Sequence, residues 1–205
     1  MATTLTDAER ARIADAVRTA EAKTAGEIYV VVARAAGEFR FVPILWAAVL
    51  ALFAPWPLLL LTLWSTEIIL AAQALVFVVA ALVFSHPALQ HRLVPPGVAA
   101  AETRESALAL FMAHGVHLTA QRTGVLIYVA LAERRVEVVA DQLINERVPQ
   151  SAWDGLAAAV VEAARRGALA EGLIAAVQGA GALLAQHFPR AREDRNELPD
   201  RVVEL

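Results

Sequence analysis

The apolar positions of this chain fall into three patterns, and the first stands apart from the other two. Between Arg40 and Glu67 lie 26 residues without a formal charge, and between Glu67 and Arg92 another 24, interrupted mainly by Gln73, Ser85 and His86. A helix needs about 20 apolar residues to cross a bilayer core of about 30 Å. The pattern therefore predicts two membrane spans, over roughly Phe41 to Leu63 and Glu67 to Phe84. Pro43, Pro55 and Pro57 leave the end of the first span open: the turn falls either at Pro55 to Pro57 or at Ser65 to Glu67. A buried core hairpin is the competing reading, and the length and lack of charge count against it. A signal peptide does not fit, because about 40 amphipathic residues come first.

Elsewhere the pattern is that of a mixed α/β module. Thr6, Asp7, Ala8 and Glu9 form a capping box that opens a helix to about Lys23, with Ile13, Val17 and Ala20 on one face. Gly26 ends it. Ile28 to Ala33 is a continuous β-branched run, as is Val125 to Leu131, and such runs predict strands buried on both faces. Arg135 to Val139 alternates charged and apolar residues, which predicts a half-exposed strand after a tight turn around Glu133. The first two strands are separated by the hairpin and a helix from about Val98 to Ala113, a crossover that favours parallel pairing. Two Ala-rich helices follow. One runs from Ser151, capped with Asp154, to Arg166, where Gly167 stops it, and the next runs to about His187.

Composition and charge exclude several classes. Hydrophobic residues make up 58% and charged residues 19%, the net charge is -3, and there is no cysteine. That leaves no net attraction to nucleic acid, and no disulfide scaffold, thiolate metal site or cysteine nucleophile. Six of the eighteen Lys and Arg residues precede the apolar pair, twelve follow it and none lies between. The positive-inside rule weights Arg34, Arg40, Arg92 and Arg104 most, so both polar parts are expected in the cytoplasm. Trp46, Trp56 and Trp64, with Arg40 and Arg92, are the expected interfacial anchors. His86 and His91 fit the same boundary. Gln73 can hydrogen-bond across to the first span, and Ala47 and Ala51, like Ala48 and Ala54, offer small surfaces for close approach.

Thr24 to Val32 (TAGEIYVVV) resembles the first strand of the TPM-domain family, and Arg122 to Val129 (RTGVLIYV) resembles its second. Glu133 to Val138 is similar to the charged third strand, and Gly167 to Leu173 to the turn between the last helices. The resemblance covers about residues 5 to 188 without the hairpin. It implies a three-layer α/β/α sandwich with a small mixed sheet, here interrupted by a two-helix transmembrane hairpin. The implied organisation is residues 1–40 and 85–188 as two parts of one domain, 41–84 as the hairpin and 189–205 as a charged tail. Phosphatase activity, calcium or metal binding, and accessory roles toward membrane protein complexes are what the family implies. Two departures bear on the first of these. Ala140 to Leu143 stands where relatives often carry a Gly-x-Gly-x-Glu-like turn, and Ala113 to His117 where they often carry Trp-Gly-x-Gly, so close backbone approach to a ligand is lost.

The residues that can carry chemistry are few. His114 and His117, three apart near a helix end, are candidate metal ligands or, with Asp141, an acid/base pair; the competing reading is helix-end histidines facing terminal carbonyls. His117 and Asp141 are the weak catalytic candidates. Asp141 with Glu137 and Glu146 can offer oxygen ligands to a divalent cation such as calcium, or Asp141 can simply start a helix. Arg122, Thr123 and Gly124 precede the second strand as either a phosphate cradle or a plain turn. No P-loop and no nucleophile elbow is present.

These readings converge on a binding or accessory module held in a bacterial cytoplasmic membrane, both termini cytoplasmic, with the lipid bilayer and a membrane protein as partners and the oligomeric state open. The alternative is a metal-dependent phosphatase. The first strand ends near Ala33 and the first span begins near Phe41, so the carboxyl edge of the sheet, with Ala35, Arg92, Arg104 and Val98, is expected to face lipid or a membrane partner. The edge near Gly26 and Arg122 is expected to stay open.

Overall fold

The computed structural model describes residues 5–37, 39, 41–86, 89, 93–119, 121–190 and 197–205. Arg40, His91 and Arg92, expected at a membrane boundary, lie outside the described residues. The chain divides into two compact units, Met1–Ala36 with Ala100–Leu205, and Gly37–Ala99.

The first unit is built on two strands that tolerate no polar face. β1 (Glu27–Ala33) and β2 (Gly124–Ala130) are buried at every position and pair in parallel, Glu27 with Gly124 through Ala33 with Ala130. β3 (Arg135–Ala140) returns antiparallel to β2 after a turn in which Arg134 takes a left-handed φ of 55°. β4 (Val202–Glu204) pairs in parallel with the other side of β1, so the sheet order is β3-β2-β1-β4. Sequence reasoning left the tail without a strand. Val202 and Val203 become one because β1 leaves an edge of unpaired backbone groups, which Leu205 N–H to Val32 O (3.0 Å) and Arg34 N–H to Leu205 O (2.9 Å) help to close.

Helices cover both faces of this sheet. α1 (Asp7–Glu21) starts at the expected capping box: Thr6 Oγ1 accepts from Glu9 N–H at 3.2 Å while Glu9 Oε2 accepts from Thr6 N–H at 2.8 Å. Its buried stripe of Ile13, Ala16, Val17 and Ala20 packs with α7 (Gln150–Arg165) and α8 (Leu169–His187) over Ile28, Val30, Val32, Val125, Ile127 and Val129. On the other face α5 (Pro96–Ala113) sets Ala107 and Phe111 against Tyr29, Val31, Leu126 and Tyr128. Each such buried aliphatic side chain contributes roughly 1.5–3 kcal/mol, so the strict alternation of the two faces fixes the register. The Ser151–Asp154 cap does not form. Pro149, at ψ 145°, is the N-cap, Ser151 falls inside the helix, and Asp154 accepts instead from Gln150 Nε2 at 3.0 Å. Gly167, at φ 77°, ends α7 where expected.

The second unit carries the apolar helices. α2 (Phe41–Phe53) and α3 (Pro55–Leu61) form one 21-residue apolar stretch broken at Ala54, and α4 (Thr66–Phe84) follows a non-helical turn. The open choice is thereby settled: the chain reverses between Leu61 and Thr66, while Pro55 only starts a new helical segment, as proline does at a first turn. Ala47, Ala51, Ile69 and Ala80 are buried within the unit. Gln73 makes no hydrogen bond to the first span among the described residues; it lines a shallow groove with Ala48, Ala51, Leu70 and Phe77. The Trp46 indole N–H donates to Leu93 O at 3.1 Å.

Among the described residues three helices are long and apolar enough to cross a membrane: Phe41–Leu61, Thr66–Phe84 and Leu169–His187. The third is the core helix α8, half of whose most apolar window is buried, whereas the first two are 11% buried.

Candidate functional site

Because β3 runs against β2, Ala140 lies beside Val125, and the residue that follows it stands at the amino edge of the parallel pair. Asp141 is therefore at the edge opposite the carboxyl ends of β1 and β2, where open α/β sheets bind ligands. Asp141 is 6% exposed. Its Oδ1 accepts from Gln142 N–H at 2.6 Å and caps the short α6 (Gln142–Asn145), while its Oδ2 is buried without a partner.

The other candidate ligands do not gather around it. Among the described residues no three His, Asp or Glu side chains are placed to hold a metal ion. Glu146 is exposed and accepts from Gln142 Nε2 at 3.2 Å. Glu137 is paired in register with Tyr128 and faces Arg104 of α5 at 3.9 Å. Burial raises its carboxyl above the usual range, against the pull of Arg104 and Arg135. His114 Nδ1 lies 3.3 Å from the Tyr29 hydroxyl with the rings 5.1 Å apart, and the His117 ring packs 6.3 Å from Phe111. Each histidine thus engages its own aromatic neighbour. The pairing of Tyr29 with His114 depends on how α5 meets β1 and has no signal in local spacing.

The candidate phosphate cradle is a structural turn. Arg122 has φ 51°, Thr123 N–H donates to Thr119 Oγ1 at 3.0 Å, and the Thr123 hydroxyl donates to Ala25 O at 2.7 Å. Both Thr123 donors are consumed inside the fold. Gly124 is required for close approach, since a Cβ there would stand 2.1 Å from the Val116 carbonyl oxygen. Val116 belongs to the 3₁₀ turn Val116–Leu118.

The amino edge also holds a small acidic cavity lined by Arg18, Glu21, Thr24, Glu27, Arg190 and Asp200. Glu21 Oε1 accepts from Ile28 N–H at 2.8 Å, and its Oε2 is buried without a hydrogen bond. Burial pushes the Glu21 carboxyl up to about 8, the Ile28 hydrogen bond opposes this, and the negative charges of Glu27 and Asp200 add to it.

At the carboxyl edge, a cavity of about 250 Å³ opens beneath the β2–β3 turn. Val129, Leu131, Val136, Val161 and Leu169 line its apolar part, and Arg134, Arg135 and Arg165 line the rest. Sequence reasoning placed none of these arginines at a site, because residues 134–135 and 165 meet only through the packing of α7 against the sheet.

A mixed sheet covered by helices on both faces, with a helical hairpin inserted after its first strand, defines an α/β/α sandwich. Residues 93–183 match the model of the TPM domain family. The NMR structure of BA42 protein from the psychrophilic bacterium Bizionia argentinensis sp. nov. is similar, with a TM-score of 0.63 over 99% of this chain and 97% of that one. At 22% identity the likeness is one of fold. No curated protein sequence matches the chain.

Proposed function

We propose that this protein is a membrane-anchored TPM domain that serves as a binding module for a membrane protein partner. The observation that carries this is the inserted pair of helices, with mean hydropathies of 2.2 and 2.5 and only 11% of each apolar window buried. Leu60, Leu61 and Leu63 are more than four-fifths exposed, and Phe41, Phe53 and Trp56 more than three-fifths. An apolar surface this continuous needs lipid or protein around it. β1 ends at Ala33 and the first apolar helix begins at Phe41, so the sheet is tethered to the hairpin by a short linker. The absence of Lys and Arg between the spans supports a topology with the turn outside and both termini in the cytoplasm. Alkaline carbonate extraction of membranes tests the anchor. The full chain is expected to stay in the pellet, and a variant with residues 41–84 replaced by a Gly/Ser linker to leave it. Reporter fusions at Leu205 and Ser65 are expected to behave oppositely. Full release of the intact chain by carbonate would end the proposal.

A second reading, metal-dependent phosphatase, is favoured by the buried, unpartnered Oδ2 of Asp141. Our proposal expects turnover of p-nitrophenyl phosphate at background with magnesium or calcium present. Turnover that vanishes in Asp141→Asn would replace the first reading with the second, because asparagine still caps α6 and leaves the fold intact.

A further inference from the structure

We infer that the cavity under the β2–β3 turn is a binding site for a phosphate group carried on a short apolar body. The inference goes beyond the membrane-anchor proposal and does not depend on it. Its lining contains three arginines and no carboxylate, histidine, serine or threonine, so it can hold an anion but supplies no nucleophile or general acid to cleave one. Arg165 shares its charge with Glu162 at 3.7 Å and Arg135 with Glu137, and the wall itself still carries three guanidinium groups and no carboxylate, a lining suited to a dianion. Guanidinium groups match phosphate oxygens in bidentate fashion. Gly167 and Leu169, at the start of α8, form part of the wall, and α8 has no side-chain cap on its first N–H groups. The positive end of that helix therefore adds to the arginine field. Val129, Leu131, Val136 and Val161 provide the apolar contact that a bare phosphate would leave unused.

The backbone at Arg134 adds to this. It holds φ 55° in the turn, a conformation that glycine or asparagine adopts at lower cost. Strain of this kind collects at sites where the side chain is needed. An arginine kept there gives the cavity lining a cationic residue, which neither cheaper residue would supply.

The ligand chemistry has two sources, a lipid headgroup or a soluble phosphate ester, and one experiment separates them. The probes are butyl phosphate added to the full chain in dodecyl maltoside micelles, and nanodiscs of phosphatidylcholine with or without phosphatidic acid. The readout is the side-chain Nε–H resonances of Arg134 and Arg165. Saturable shifts with butyl phosphate that persist in phosphatidylcholine nanodiscs assign a soluble ester. Shifts already present in phosphatidic acid nanodiscs, where butyl phosphate no longer competes, assign the headgroup. In either case Arg134→Gly is expected to weaken binding about tenfold, the loss of one charge-assisted contact. The same substitution is expected to raise the melting temperature by relieving the turn. The inference is overturned if neither probe gives a saturable shift, or if Arg134→Gly and Arg165→Gln bind as the native chain does.

Discussion

Gly124→Ala is expected to cost the sheet unit more than about 4 kcal/mol, at the extreme end of single substitutions. The added Cβ would stand 2.1 Å from the Val116 carbonyl oxygen and 2.7 Å from Val116 Cγ1. The obstacle is backbone, so no rotamer change relieves it. To make room, the 3₁₀ turn Val116–Leu118 must lift from the start of β2, or β2 must shift against β1 where Gly124 is paired with Glu27. Either move disturbs Thr123, whose two donors hold Thr119 and Ala25. Gly155→Ala is the matched control. It lies inside α7 with nothing within 4 Å of the new methyl group. There alanine is expected to stabilise by about 0.5–1 kcal/mol through helix propensity. Thermal unfolding of both variants, followed by circular dichroism, checks the contrast. A Gly124→Ala protein that melts within a degree or two of the native one would show that the approach of Val116 to β2 is not enforced.

The contrast between Gly124 and Gly155 shows what was legible in the sequence. The two buried strands, the capped first helix, the half-exposed third strand and the apolar hairpin were all readable, because each rests on local periodicity or on the absence of charge. Long runs such as Ile28–Ala33 admit one environment, a strand covered on both faces. What failed depends on partners distant in sequence. Val202–Glu204 is too short and too closely flanked by charge to announce a strand, and it exists because β1 leaves an edge to fill. Ser151 and Asp154 have cap spacing, yet Pro149 two residues earlier takes the position. Leu169–His187, read as an Ala-rich helix, is one; it is apolar enough for a span, and its small residues Ala176, Ala180 and Gly181 pack into the core. For the candidate site, sequence reasoning identified Asp141 as either a ligand or a helix start, and geometry makes it a cap with one oxygen to spare. The antiparallel return of β3 carried it to the edge opposite the arginine cavity.

Glu21→Gln is expected to stabilise the protein in a strongly pH-dependent way. The Glu21 carboxyl titrates at about 8 in the fold against 4.5 for the free group, mainly because it is buried, with Glu27 and Asp200 adding negative charge around it. The folded state therefore holds a proton that the unfolded state releases. That contribution to stability is complete below pH 4.5, declines by roughly 1.4 kcal/mol per pH unit above it, and is exhausted once pH passes about 8. Glutamine keeps an oxygen to accept the Ile28 N–H and cannot ionise. The variant should match the native chain near pH 4.5 and exceed it by roughly 4–5 kcal/mol at pH 8. The consequence reaches β4. Glu27 accepts from the backbone N–H groups of Glu197 and Leu198, and Asp200 lies two residues before Val202, so an ionised Glu21 repels the segment that leads into the edge strand. Hydrogen exchange at the Leu205 and Arg34 amides, which bond across β1 and the tail, should accelerate between pH 6 and 9 beyond the intrinsic rate in the native chain and not in Glu21→Gln. A stability difference that is the same at every pH would mean that packing, not the proton, distinguishes the two side chains.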